Sequence, residues 1–276
     1  MRVQINQLFD QIHSVPRIPE IVRTLITQFN NPKIDFNEIV KNIEKEQMIS
    51  LSVLRLVNSA NYGLSRKIGA IHEAVHLLGI NELRTLVITC GMVNSIPKVE
   101  GINLTLFWED SFSTSVYAKL LATNCNADAD LAYTAGLISR LGNILIHMGA
   151  PSAANEIDSH VKSGHHGRRN VEIKRLGFTS EDVCAELGRR WHFSDELIDG
   201  IAQCGAPLEY EEPNKLACIV FIARYLSECH QDGKSRELIL EKFPWDVVEK
   251  LNVPEQHMKQ LVDKLLSRDI KMITLV

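Results

Sequence analysis

The sequence lacks any segment that is apolar enough to cross a membrane. Its longest uninterrupted apolar run, Leu216 to Ala223, is far shorter than the roughly 20 residues that a bilayer requires. The first ten residues mix polar and apolar side chains and contain no apolar core of the kind that a secretory signal carries. These absences predict a cytoplasmic protein without a membrane partner.

Cysteine pairs that could hold zinc or build a disulfide framework are also absent. The six cysteines are Cys90, Cys125, Cys184, Cys204, Cys218 and Cys229. None of them forms a Cys-x-x-Cys pair, and most lie in apolar helical stretches, so we expect buried free thiols in a reducing compartment. The net charge of −4 and the pI of about 6.2 give no basic footprint for nucleic acid. No phosphate-binding glycine loop or nucleophile elbow is present either.

What the chain does contain is a helical apolar period along almost its whole length. No alternating strand pattern extends beyond a few residues. The pattern predicts an all-α protein, with one of its helices running from Asp128 to Met148. Proline, glycine and polar residues interrupt the period between Pro97 and Asn103, so we expect two packed helical lobes divided there.

A motif rich in leucine and valine ends the helix predicted from about Gln47 to Ser59. The stretch Leu51-Ser-Val-Leu-Arg-Leu-Val-Asn-Ser-Ala-Asn-Tyr-Gly63 predicts a helix whose leucines and valines are buried, Leu51 included. Asn58 and Ser59 carry side chains that hydrogen-bond nearby backbone and favour a helix end, and Gly63 permits a positive φ in the loop. We interpret Asn58 as a structural cap, with a ligand contact as the less favoured alternative.

Together with Ile71-His-Glu-Ala-Val-His-Leu-Leu-Gly-Ile-Asn-Glu-Leu-Arg-Thr-Leu86, this motif resembles the signature of the HDOD domain, a regulatory relative of the HD and HD-GYP metal-dependent phosphohydrolases. The resemblance covers roughly Ile12 to Ser227. It implies an HD-like helical bundle as an HDOD domain over 1–227, with an N-terminal helical lobe at about 1–97 and an HD-like lobe at about 103–227. The remaining 228–276 would form a C-terminal helical extension packed on the HD-like lobe. The motif positions with an implied structural role are Asn58, Ser59, Gly63, Gly79, Gly136 and Gly142.

The resemblance also implies a metal site, and this chain departs from it. In HD phosphohydrolases a Gly-Leu-Leu-His-Asp-Ile-Gly stretch supplies a His-Asp pair to a divalent metal that activates water. The similar stretch here, Gly136-Leu-Ile-Ser-Arg-Leu-Gly142, has Ser139 and Arg140 instead. A hydroxyl is a poor ligand, and a guanidinium is permanently cationic and repels the ion.

The other ligand positions that the family implies are replaced as well. Ser180 stands where the family often has a histidine, Cys204 and Gly205 match a histidine pair, and Arg224 falls where an aspartate is expected. Together with Ser139 and Arg140, these residues form a vestigial site that we expect to bind no metal and to need no cofactor.

The two arginines of the vestigial site need counter-charges. If the helices pack as in the family, Arg140 and Arg224 approach one interior cleft, where an unpaired guanidinium would be very costly. An internal carboxylate is the favoured partner, since buried charges are normally paired; Asp110, Glu186 and Asp199 qualify by position. The alternative is a bound anion, which arginine grips with two hydrogen bonds.

For two other polar clusters, an interpretation without a bound metal or partner is favoured. His72 and His76 share a helix face at a spacing that can hold zinc, but a structural zinc needs four ligands, so a surface pair is favoured. His165 and His166 lie in a basic, glycine-flanked segment with Arg168 and Arg169, which is interpreted as a solvated loop, with an anion or partner contact as the alternative.

The resemblance implies a non-catalytic module of bacterial signal transduction. HDOD domains are regulatory output domains that often accompany receiver or cyclic-dinucleotide domains. We therefore expect a signalling protein partner that binds in trans, or a small anionic ligand, and no nucleic acid. The alternative is a metal-dependent phosphohydrolase with an altered ligand set that acts on a nucleotide or cyclic dinucleotide, and a purely structural scaffold is a third.

Overall fold

A computed structural model of the chain describes residues 4–27, 36–59, 66–162 and 167–266. Over these residues the chain is helical and contains no strand, which confirms the predicted all-α class. None of the described helices is long and apolar enough to cross a membrane. The helices are α1 (Ile5–Gln11), α2 (Glu20–Thr27), α3 (Phe36–Lys45), α4 (Gln47–Val57), α5 (Ile71–Leu78), α6 (Ile80–Ser95), α7 (Leu104–Asn124), α8 (Ala129–Ile138), α9 (Leu141–Gly149), α10 (Pro151–Lys162), α11 (Arg168–Arg175), α12 (Ser180–Arg190), α13 (Asp195–Gln203), α14 (Lys215–Gln231), α15 (Arg236–Glu241), α16 (Trp245–Glu249) and α17 (Glu255–Leu266), with a 3-10 turn at Pro207–Glu209.

One compact unit comprises Pro16–Pro97 and is centred on α6. Every residue of α6 from Leu83 to Val93 is buried, and α2, α4 and α5 pack against this helix. Gly79 ends α5 and starts α6 with a φ of +80°, a conformation that residues with a Cβ rarely adopt. The glycine predicted between these two helices thus makes the sharp turn that lets α5 fold back on α6.

Asn58 fastens the end of α4 to the start of the next described segment. Its Nδ2 donates to the carbonyls of Leu54 at 2.7 Å and Ile68 at 2.8 Å, and its Oδ1 accepts from the Ile68 amide at 2.7 Å. Ser59 follows with its amide bonded to the Leu56 carbonyl. Gly63 lies outside the described residues.

The prediction that every leucine of this motif is buried is wrong for Leu51. Val53, Leu56 and Val57 are buried, whereas Leu51 is 61% exposed. Because α4 packs on α3, α5 and α6 through one side, an apolar residue on its opposite side stays in solvent.

The other compact unit comprises the described residues 4–15 and 98–266. The two units divide between Pro97 and Lys98, inside the predicted interruption. The prediction that the N-terminal lobe begins at residue 1 is wrong for α1. This helix contacts α9 and α12 and buries Leu8 and Phe9 in the second unit. At its centre, α8 and α14 pack along α7. α8 approaches α7 closely at Gly136, where a Cβ would lie 2.8 Å from the Cα of Ser115.

The C-terminal helices belong to the same unit. α14 runs through the boundary predicted at 227/228, and α16 packs on it. The ring of Tyr225 meets that of Phe243 edge-on at 5.7 Å, and its hydroxyl donates to the Ile239 carbonyl at 2.8 Å. All six cysteines are buried and unpaired, as predicted.

α9 packs so closely on the start of α12 that Gly142 has no room for a side chain. A Cβ at this position would lie 1.8 Å from the carbonyl oxygen of Ser180, which is a backbone atom and cannot simply rotate away. Nearby, the Cys184 thiol donates to the Ile138 carbonyl at 3.0 Å. The motif glycine therefore sets the distance between the two helices that carry Arg140 and Ser180.

Gly142→Ala should lower the free energy of unfolding by about 3 kcal/mol, the upper end of what overpacking costs. Gly167→Ala is the matched control, because a Cβ there meets nothing within 4 Å and the backbone φ is −61°. Urea unfolding followed by circular dichroism compares the two variants. Equal stabilities would contradict the close approach of α9 and α12.

Candidate functional site

The helix predicted from Asp128 to Met148 is wrong, because it breaks at the two residues that replace the His-Asp pair. α8 ends at Ile138 and α9 begins at Leu141. Ser139 is fully enclosed, and its Oγ donates to the Gly136 carbonyl at 3.0 Å. The break turns the chain so that α9 packs on α12, while Arg140 reaches α7 and α14.

Arg140 is held by two carboxylates. Its Nε lies 2.5 Å from Oδ2 of Asp110 on α7, and its Nη2 donates to Oε1 of Glu228 on α14 at 2.6 Å. Asp110 is further fixed by the hydroxyl of Ser227, which donates to Oδ1 at 2.7 Å. The guanidinium at the position where the resemblance implies an aspartate therefore joins three helices, through one enclosed ion pair with Asp110 and one with the 57% exposed Glu228.

The other four vestigial positions meet at one cavity. Ser180 at the start of α12, Cys204 and Gly205 after α13, and Arg224 on α14 line a cavity of about 220 Å³. Ser139 and Arg140 are not in its wall, but Arg140 pairs with Glu228, which is. The rest of the wall consists of Arg168, Arg169, Glu172, Glu181, Phe221, Tyr225 and Glu228.

Arg224 pairs with Glu181 in the wall of this cavity. Its Nη1 donates to Oε1 of Glu181 at 2.7 Å, and the two side chains are only 16% and 5% exposed. Burial alone would raise the pKa of Glu181, but the charge and hydrogen bond of Arg224 outweigh burial and lower that pKa. Burial likewise opposes the charged form of Arg224, yet Glu181 raises its pKa above the ordinary value. Both groups are charged at neutral pH.

The two residues in place of the histidine pair make room for this ion pair. A Cβ on Gly205 would lie 2.7 Å from the carboxylate carbon of Glu181, so only glycine leaves the space that the carboxylate fills. The thiol of Cys204 lies 3.4 Å from Nη1 of Arg224. Burial raises the pKa of Cys204, although the charge of Arg224 acts in the opposite direction. Cys204 is therefore a neutral thiol.

A second buried carboxylate, Glu172, holds the start of α12. Its Oε2 accepts from the amide of Ser180 at 2.7 Å and from its hydroxyl at 3.0 Å, and its Oε1 accepts from Nε of Arg168 at 2.7 Å. Burial raises the pKa of Glu172, even though Arg168 and Ser180 favour the carboxylate. Ser180 thus serves an internal hydrogen bond where the family places a ligand.

Arg168 extends the network away from the cavity. Its Nη1 donates to Asp158 at 2.7 Å, and the other oxygen of Asp158 lies 3.1 Å from Nε2 of His147. Burial lowers the pKa of His147, and Asp158 offsets this only in part. The prediction that Arg168 and Arg169 lie in a solvated loop is wrong, because both are in α11; His165 and His166 of that prediction lie outside the described residues. The ion pair between Arg168 and Asp158 fixes α11 to α10, and the hydrogen bonds between Ser180 and Glu172 fix it to α12.

The vestigial positions do not fit the divalent metal that the HD resemblance implies. Within the described ranges, no group of three or more His, Cys, Asp and Glu side chains could hold a metal ion. The hydroxyls of Ser139 and Ser180 are engaged internally, Cys204 is neutral, and Arg140 and Arg224 would repel the ion. The arrangement offers charged pairs and a cavity, and none of the vestigial positions supplies a ligand for a metal that would activate water.

Sequence reasoning found some of these partners and missed others. Asp110 does pair with Arg140, whereas Glu186 pairs with Arg189 and Arg190 on its own helix and Asp199 is exposed. The carboxylates missed were Glu172, Glu181 and Glu228. The one available signal was the need of two buried arginines for counter-charges, and Glu181 stands directly beside the vestigial Ser180.

The fold and the replaced ligand positions together define a helical domain of the HD type. The family model of the HDOD domain matches residues 15–207, and the chain belongs to the HDOD domain family. This confirms the resemblance seen in the two sequence motifs.

Two solved structures share the fold over nearly the whole chain. A candidate phosphohydrolase from Shewanella amazonensis SB2B is 27% identical with a TM-score of 0.78, over 94% of this chain and 93% of that one. An HDOD domain protein of unknown function from Geobacter sulfurreducens is 22% identical with a TM-score of 0.81, over 95% and 92%. An uncharacterised protein of Treponema pallidum is 25% identical over 70% of this chain but 38% of its own length, so the chain spans about two fifths of that relative.

Breaking the pair in the wall of the cavity should be strongly destabilising. Arg224→Met and Glu181→Gln should each lower the free energy of unfolding by about 3–5 kcal/mol, because each leaves a buried polar partner unmatched. The double variant should lose clearly less than the sum. Arg175→Met, which breaks an exposed pair with Glu156 at 3.2 Å, is the control and should cost about 0–1 kcal/mol. Strictly additive losses would argue against direct pairing.

The same pair predicts a pH dependence. Because the folded pKa of Glu181 lies below its ordinary value of 4.5, its contribution is complete above pH 4.5 and is lost as the pH falls through the folded pKa. The stability difference between wild type and Glu181→Gln should therefore shrink in acid. Unfolding curves at a series of pH values from neutral downward measure it, and a difference that grows in acid would contradict the sign.

Proposed function

We propose that this HDOD domain is a non-catalytic regulatory module of bacterial signal transduction. It acts in the cytoplasm by binding a signalling protein partner in trans or a small anionic ligand, and it binds neither nucleic acid nor membrane. The proposal rests on one observation: Arg140 and Arg224, at two of the positions where the resemblance implies metal ligands, are each paired with carboxylates, and the Arg224 pair lines a small cavity.

This network gives the former metal site a role in holding helices together. Arg140 joins α7, α9 and α14, and Arg224 joins α12 to α14. A substrate phosphate would have to compete with carboxylates already bound to these arginines. The arrangement favours a stable scaffold that presents a surface and a small pocket, which suits recognition rather than turnover.

The alternative is a metal-dependent phosphohydrolase. It has support in the 27% identity to the candidate phosphohydrolase from Shewanella amazonensis over most of both chains. Such an enzyme needs several imidazoles and carboxylates converging on one ion, and here the corresponding positions are Ser139, Arg140, Ser180 and Cys204. Fold similarity alone does not carry the activity across.

The two functions are separated by assaying the purified domain with manganese, magnesium and iron(II) against nucleotides and cyclic dinucleotides. We expect no turnover above buffer, together with capture from the native host of a partner that rebinds as a purified protein. Metal-dependent turnover that survives repurification and is lost in Arg140→Ala would establish the enzyme instead.

A further inference from the structure

The three arginines in the cavity wall differ in how firmly their charges are engaged. Arg224 pairs with the enclosed Glu181, and Arg168 binds two carboxylates and the side-chain oxygen of Asn143. Arg169 is different. Among the described residues its single ion pair is with Glu209, whose Oε2 accepts from Nη2 at 2.7 Å.

In this single pair, the acidic partner Glu209 is exposed to solvent. Glu209 is 63% exposed and belongs to the short 3-10 turn after Gly205, whereas Arg169 is 24% exposed and lines the cavity. An ion pair with one partner in solvent contributes only about 0–1 kcal/mol. Another anion can therefore replace Glu209 at little expense, while Arg169 stays in place.

The charges around Arg169 determine which kind of anion can bind there. Glu181 and Asp182 also lie close enough to act on Arg169, so an added negative charge would be repelled. If a carboxylate ligand binds Arg169 and Glu209 moves into solvent, the net charge around Arg169 is unchanged. A monovalent carboxylate thus suits the position better than a divalent phosphate.

Two aromatic side chains of the wall offer a surface for an aromatic ring. Phe221 and Tyr225 are one helical turn apart on the face of α14 that also presents Arg224 to the cavity. The cavity of about 220 Å³ is smaller than the roughly 300–1,000 Å³ of sites for drug-sized molecules. It has room for a single ring with a carboxylate and little more.

We propose that the cavity binds a small aromatic carboxylate, which takes the place of Glu209 at Arg169 while its ring lies against Phe221 and Tyr225. The proposal rests on the regulatory function proposed above and names the chemical class of its ligand. Displacing Glu209 also frees the turn Pro207–Glu209 from α11, which couples occupancy of the cavity to the exposed side chains of Leu208 and Tyr210.

Benzoate is the probe, and its binding is measured by chemical-shift titration of the ¹⁵N-labelled domain. Glu209→Gln should bind benzoate about two- to fivefold more tightly, the factor that corresponds to removing an exposed ion pair. Arg169→Met should abolish the titration. Arg175→Met, an exposed arginine on the same helix outside the cavity wall, should titrate like wild type. Thermal melting shows that each variant is folded.

Acetate and inorganic phosphate form the comparison arms. We expect acetate to bind more weakly than benzoate because it lacks the ring, and phosphate to bind more weakly because of its second charge. Benzoate affinity that is unchanged in Glu209→Gln, saturation that survives Arg169→Met, phosphate that binds more tightly than benzoate, or no titration in any folded variant would each overturn the proposal. Such a failure would not change the outcome of the turnover and capture experiment, so the proposed regulatory function is tested independently.

Discussion

The ion pair between Arg224 and Glu181 is the interaction on which the rest of the second unit depends. It connects α14 to α12 beside the positions where the HD resemblance implies metal ligands. A pair this enclosed is stable only if both partners are present and nothing crowds them. That condition explains why Gly205, which leaves the space for the carboxylate, and the neutral Cys204 beside the guanidinium stand where the family has imidazoles.

Other pairs of opposite charge near the cavity also hold helices together. Arg140 joins α7 to α14 through its ion pairs with Asp110 and Glu228, whereas a metal-binding aspartate would join helices through the ion. Arg168 holds α11 against α10 through Asp158, and Glu172 holds the first turn of α12 through Ser180. A metal joins helices by accepting electron pairs from several ligands at once, whereas here paired charges of opposite sign join them. In the part of the chain that the structure describes, these helices are held together by ion pairs and hydrogen bonds.

Much of the fold could be predicted because helix formation follows a local period. The glycine turn at Gly79, the break after Pro97 and the replaced ligand positions were all visible in the sequence. The interruption at Ser139 was not, since the apolar period continues through it and the turn there is seen only in the packing of α9 on α12. α11 was missed because its sequence is dominated by charged residues, and its order comes from ion pairs with residues distant in the chain.

The site itself could be predicted only in part, for a similar reason. Buried arginines imply carboxylates, and that rule pointed correctly to Asp110. It could not identify Glu181 or Glu228, because which acidic side chain reaches a guanidinium is decided by helix packing and not by spacing along the chain. The weak engagement of Arg169 by Glu209 is likewise a tertiary property, set by the exposure of a short turn.

A crystal structure of the domain grown with manganese(II) at neutral pH tests the central claim most directly. If internal ion pairs have replaced the metal, anomalous difference maps should be featureless between Ser139, Ser180 and Cys204, and Arg224 should remain hydrogen-bonded to Glu181. A manganese peak in the cavity, with Glu181 turned away from Arg224 to bind the ion, would contradict the claim.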